Sequence, residues 1–301
     1  MGEPSTVVVP GLLGGGVDGR RLSVAPERTA GRGRRRRWTA WLGFAAAWAI
    51  LGGAWEIGAR TGLLNAAILP PPSEFVPYLV AGAGSVGIGT NRLSYGEAVL
   101  ETVFRVTIGF GLGIGAALAL GTLLASTPVA RLIGLPMAQT VAPIAPVAWI
   151  PLAIALFGTG DSSAVFIVFM GIFATMTLAT VAALSAVPAE YVKGARTLGC
   201  RGWRLWLRVI VPAAAPGLAT AVRMSFFAAW MSVLAGEMAG ISSGLGALVI
   251  LGQQEFQMQV VMAGLVSIGL LGFAFDRLLL SLRRRVLWWE SRSQGREGSD
   301  A

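Results

Sequence analysis

Histidine is absent from the 301 residues, cysteine occurs once, at Cys200, and only 13% of the chain is charged. Without histidine there is no serine–histidine hydrolysis, no histidine-ligated zinc and no haem held by histidine. A single cysteine excludes an intramolecular disulfide, and Cys200 reads as a small residue at a helix junction. The pattern Gly-x-x-x-x-Gly-Lys-Ser/Thr is also missing, so no phosphate loop of that kind is present. A soluble domain carries about 25% charged residues. The low charge, set beside 54% hydrophobic residues, describes a membrane protein. The net charge of +9 does not point to nucleic acid, because the positive residues cluster at the ends of apolar runs with no base-stacking motif beside them.

What is present is a series of apolar runs. Residues 1–37 are rich in Gly, Pro, Arg and Ser and end in Arg34, Arg35, Arg36 and Arg37. They are expected to form a disordered, basic cytoplasmic tail that fixes orientation. They are not read as a signal peptide, since no convincing cleavage site precedes a soluble domain. A first span is expected over Trp38–Trp55, a length close to the roughly 20 residues a bilayer needs. Leu69-Pro70-Pro71-Pro72-Ser73 and a Gly-rich stretch to about 90 make an extracytoplasmic connection. A surface helix over 91–105 leads into a second span, Val106–Ala125, where Gly109/Gly113 and Gly111/Gly115 are pairs that would let another helix approach.

Residues 132–160 are uncharged but interrupted by Pro136, Pro143, Pro146 and Pro151. In lipid, carbonyls freed by proline are tolerated only beside protein or a water-filled cavity. This third span is therefore expected to be broken and to face the bundle interior. The fourth, fifth and sixth spans fall at 162–184, 217–235 and 256–275, and a cytoplasmic tail closes the chain from 286 to 301. One side holds Arg34–Arg37, Arg131, five positive residues within 188–212 and Arg283–Arg285; the other holds Arg60 and Arg92. That asymmetry places both termini in the cytoplasm and predicts an all-α protein of six transmembrane helices, with the permease domain over 38–285.

Charge concentrates between the fourth and fifth spans, in PAEYVKGARTLGCRGWRLWLRVIVP (188–212). Pro188 suits the first position of a helix, Gly199 a left-handed C-terminal cap, and Pro212 the break after a second short helix. By composition alone this is a basic amphipathic loop on the membrane surface. Its spacing is more specific. Lys193-Gly194-Ala195, Gly199 four residues on, and Val209, Val211 and Pro212 resemble the EAA loop of ABC-importer permeases, whose pattern is Glu-Ala-Ala, three residues, Gly, nine residues, Ile-x-Leu-Pro. Lys193 and Gly194 depart from the usual Glu and Ala, while Glu190 lies one turn earlier. From about 64 to 250 the chain resembles permeases of the nitrate, sulfonate and taurine group. Leu69–Ser73, Pro143–Leu152, Phe157-Gly158-Thr159-Gly160-Asp161, Glu237-Met238 and Gly244-Leu245-Gly246 fall in that group's order.

The resemblance implies the type I importer fold. It implies a homodimeric or paired subunit in a bacterial inner membrane, two cytoplasmic ATPases that bind the ATP, and an extracytoplasmic solute-binding protein. The chain itself needs no cofactor and is not an enzyme. Glu190, Lys193, Gly194, Ala195, Leu198, Gly199 and Pro212 would dock the ATPase; Asp161, Glu237 and Gly244 would meet the binding protein. The solute would be a small anion. Pro143, Pro146, Pro151, Arg105 and Arg223 are the candidates for its path, since charges inside a membrane are costly. Arg223, close to Pro212, has a plainer alternative in snorkelling to headgroups. Glu237, near the outer end of its span, could equally be solvated. The other classes weighed are an intramembrane enzyme and an ion-coupled secondary transporter. The latter needs mid-membrane carboxylates and repeated halves, whereas Glu56, Glu237 and Asp276 lie near span ends.

Overall fold

A computed structural model describes residues 32–287, apart from 64, 66, 82–84 and 87–92. The tails up to 31 and from 288, with part of the Gly-rich connection, lie outside the described residues. The chain divides at Gly53 into two units. Helix α1 (Arg32–Arg60) begins in the first unit, inside the stretch expected to be a disordered tail, and its last seven residues belong to the second. The second unit, from Ala54, holds the remaining elements and is almost entirely helical.

The first of these, α2 (Pro72–Ala81), opens at the last of three consecutive prolines, where a missing N–H is harmless. Strands β1 (Ser85–Val86) and β2 (Leu93–Ser94) pair antiparallel as Ser85 with Ser94 and Val86 with Leu93. Helix α3 (Tyr95–Ser126) is continuous, so the expected surface helix and second span are one element. Pro128 stops it from running on and opens α4 (Pro128–Val141). After a 3-10 turn at Pro146–Trp149 comes α5 (Ile150–Phe157), at 95° to α4. The third span is thus broken as its prolines predict. Yet α4 buries no residue, and Pro143 and Pro151 are exposed while Pro146 is half-buried. The expectation that this segment faces the interior holds for part of α5, which buries Ile150 and Ala153 against α6, but not for α4, which lies on the outside of the single chain.

Helix α6 (Asp161–Ser185) packs most extensively against α3. One stripe of small residues allows this. A Cβ on Gly109 would sit 2.6 Å from Val168, on Gly113 2.7 Å from Ile172 and on Gly121 2.6 Å from Thr180, while Ala117 between them is fully buried. Gly111 and Gly115 meet nothing within 4 Å. Of the two pairs seen in the sequence, one is the contact.

The basic segment forms α7 (Ala189–Thr197) and α8 (Trp203–Leu205), then a π turn at Trp206–Ile210 that enters α9 (Val211–Ala239) without a break. Pro212 was expected to interrupt the chain and does not. A proline ring collides with the carbonyl four residues earlier, and the wide π turn just before Pro212 opens that space. The stretch between the expected fifth and sixth spans is not a plain connection: it holds α10 (Leu245–Gln254), whose first five residues are buried. A ten-residue apolar run gives no periodic sign of a helix, and its neighbours α9 and α11 (Met258–Val286) supply the cover.

Apolar side chains from α3, α6 and α9 meet in a cluster of Val106, Val168, Ile172, Phe226, Trp230 and Val233, and Phe226 stacks on Phe275 of α11. By length and composition α3, α6, α8–α9 and α11 can each cross a membrane, and the bent α4–α5 pair, counted as one broken span, brings the number to five. Helix α1 is not among them; tryptophans and Gly43, Gly52 and Gly53 dilute its apolar stretch.

Candidate functional sites

Three places in the second unit bring charged residues together. The first joins α3, the start of α6, the end of α9 and the start of α10. Arg105 is 1% exposed, and each of its five N–H bonds has an acceptor. Nε donates to Asp161 Oδ1 at 2.6 Å. Nη1 donates to Glu237 Oε1 at 3.0 Å and to the Ser243 carbonyl at 2.8 Å. Nη2 donates to Ser243 Oγ at 2.6 Å and to Glu101 Oε2 at 3.4 Å. Glu237 is 2% exposed and accepts further bonds from Thr102 Oγ1 at 2.8 Å and from the Gly246 N–H at 3.0 Å. Its carboxylate therefore caps the first turn of α10, where unpaired N–H groups and the helix dipole favour an anion. The Leu245 N–H in turn donates to Thr102 Oγ1 at 2.9 Å.

Gly244 completes this arrangement. It stands at φ +98°, a conformation open to glycine, and a Cβ there would enter the Glu237 carboxylate. The structure thus brings together Arg105, Asp161, Glu237 and Gly244. Glu237 is not solvated: Arg105, Thr102 and the α10 N-terminus enclose it. Gly244 is buried too, and of the three residues assigned to the outer face only Asp161 presents much surface, its side chain 57% exposed. All donors of Arg105 are engaged within the chain in this conformation. Thr102 and Ser243 were missed, and nothing in the sequence marks them, because their contacts span 135–143 positions.

The second place is the pair Arg223–Asp276, between α9 and α11. Nε and Nη2 of Arg223 reach Oδ1 and Oδ2 of Asp276 at 2.6 and 2.9 Å, a bidentate fork. Arg223 is half-buried and paired, so it does not stand alone.

The third is α7. Its C-terminus closes as a Schellman turn, with the Cys200 N–H on the Ala195 carbonyl at 2.9 Å and the Gly199 N–H on the Arg196 carbonyl at 3.0 Å. Gly199 takes φ +80°, as its position predicts. Glu190, Lys193, Gly194, Leu198 and Gly199 are exposed, while Ala195 and Pro212 are half-buried. With Tyr191 and Trp203 also exposed, the segment is a short, capped helix presenting apolar and charged side chains outward. Among the described residues, no group of histidine, cysteine and carboxylates is arranged to hold a metal ion.

Residues 102–288 match the family model described as binding-protein-dependent transport system inner membrane component. The chain belongs to this family. The permease is 32% identical over 226 residues to a provisionally named ABC transporter permease protein of Methanocaldococcus jannaschii, covering 75% of this chain and 84% of that one. It is 28% identical over 252 residues to the taurine transport system permease protein of Escherichia coli, covering 82% and 89%. A methionine ABC transporter solved in inward-facing conformations shares the fold, with a TM-score of 0.51 at 20% identity over 61% of the permease and 94% of that chain. The permease is accordingly the membrane-spanning subunit of a binding-protein-dependent ABC importer.

Proposed function

We propose that two copies of this permease enclose a path for a small anion of the sulfonate, taurine or nitrate kind, and that α7 is the peg through which a separate ATPase drives it. The bent α4–α5 segment carries the first half of this reading. Irregular, proline-rich backbone does not stay bare in lipid, yet here α4 lies on the outside of the single chain, and Pro143 and Pro151 are exposed. A second copy packed across that face would cover it and leave a polar path between the two. The relatives' named substrates support the class of solute.

The second half rests on α7. Orientation from the arginine asymmetry puts it in the cytoplasm with both termini, six spans including α1, and the Arg105 cluster at the extracytoplasmic end, where Asp161 is open to a solute-binding protein. ATP closes two ATPases on each other. A peg seated on each then moves with it, tilting α6 and α9 and switching the cavity between sides. Cysteines placed at Ala195 and Leu198 should crosslink to the partner ATPase, and vesicles holding the permease without that ATPase should not transport. Crosslinks that never capture a nucleotide-hydrolysing subunit, or labelling of these positions from outside, would overturn the reading.

A further inference from the structure

Between Asp161 and Glu237 the sequence holds one carboxylate, Glu190, against six cations. Of these, Arg223 is answered by Asp276. The other five, Lys193, Arg196, Arg201, Arg204 and Arg208, lie on and around α7 and α8, and all are exposed. Among the described residues none of the five forms an ion pair, with Glu190 or with any other carboxylate. Lys193 and Arg196, three apart on α7, share a face. Arg204 and Arg208, four apart across α8 and the π turn, share another. The chain turns back between the two helices, so that α7 packs against α8 and the π turn, with Leu205 buried. Apolar side chains stand among the cations: Leu198 is 89% and Trp203 72% exposed, and Tyr191 is exposed as well. Aromatic residues interleaved with arginine are the composition of the centre of a protein–protein contact.

The segment also stands clear of the bilayer. Asp161, at the start of α6, and Glu237, near the end of α9, both meet Arg105, so both helices set out from the same membrane face. Followed back from there through the π turn, Ala239 to Trp203 is 37 residues. That is about 55 Å of helix, against roughly 40–45 Å for a bilayer with its headgroups. Helix α8 therefore extends past the headgroups on the opposite face, and α7, packed against it, does too. Lipid does not reach this surface; a soluble protein does.

Building on the reading of α7 as the peg, we propose that the ATPase surface receiving it is acidic. Carboxylates of the ATPase face Lys193 and Arg196, a second set faces Arg204 and Arg208, and an apolar seat between them takes Leu198 and Trp203. Lys193 stands where the EAA pattern has Glu, so the charge at that point of the peg is reversed. A groove with a cation there, suited to Glu, would repel this one. Like charges brought together suppress wrong partners, and the cations thus select which ATPase this permease accepts.

The test places the full permease in phosphatidylcholine nanodiscs and titrates in the ATPase that a Leu198→Cys crosslink captures. Affinity should weaken as KCl rises from about 0.1 M to about 1 M, over which the Debye length falls from about 10 Å to about 3 Å. Lys193→Glu/Arg196→Glu and Arg204→Glu/Arg208→Glu should each weaken it about tenfold or more at the lower salt and approach the parent at the higher. Arg284→Glu/Arg285→Glu changes the net charge equally at the end of α11 and should have little effect; an equal loss would mean a diffuse field and would overturn the proposal. Reversing the ATPase's carboxylates to Lys one at a time should restore the Lys193→Glu variant at one position, and a scan that restores none would count against the acidic groove. Adding phosphatidylglycerol should leave the parent's affinity unchanged; a fall would assign the cations to lipid headgroups instead. If the crosslink forms while charge reversal and salt change nothing, the acidic groove is overturned and the peg stands. If it never forms, both fall.

Discussion

Arg105 shows how much one side chain can organise and how little of that is visible in a sequence. Its depth in α3 marked it as costly, which suggested an anion path. The structure spends its five donors on three carboxylates and Ser243, tying together four helices. Removing one member of a buried pair costs about 3–5 kcal/mol because the partner is left uncompensated. Glu237 would keep Thr102 and the Gly246 N–H, so Arg105→Gln should lie near the lower end of that range, read as thermal unfolding in detergent. The double variant Arg105→Met/Glu237→Met should recover part of the loss. A single variant as stable as the parent would remove Arg105 from this role. The composition gave the cost of the charge; apart from Glu101, one turn away, its partners lie 56 to 138 positions off and follow from topology alone.

Among elements, the α3–α6 contact separates what pattern can and cannot tell. Four alternate glycines in α3 offered two interchangeable faces, and a single-helix periodicity has no means of choosing between them. The neighbour chooses. Gly113→Leu should prevent close approach and lower the yield of folded permease, whereas Gly115→Leu, with open space around it, should express normally. Size-exclusion profiles of the two variants decide it. Local signals were more complete at α7, where the cap is made by the N–H groups of Gly199 and Cys200 and needs no tertiary partner. Gly199→Val would force a β-branched residue to φ +80° and spoil that cap. Insertion should be unaffected, while uptake per ATP hydrolysed falls; a variant that transports at the parent's ratio would remove α7 from the drive. Helix α10 escaped notice for the opposite reason, since its character comes from the cover above and below it.

For the whole molecule, the family, the helical class and the broken third span could all be read from residue order. The side on which that broken span lies could not, because sequence rules speak of an interior without saying whether one chain or two enclose it. The π turn at 206–210 has a consequence for the assembled machine. An extra residue held in a helical coil sets the angular phase of everything before it, at about 100° per residue. Deleting Leu207 would let that coil tighten to an ordinary helix, with α7 and α9 each still able to form, while swivelling one against the other by more than a quarter of a circle. Such a permease should insert and unfold like the parent yet fail to stimulate ATP hydrolysis on solute arrival, as a key cut to the right profile fails when its bow is turned on the shank.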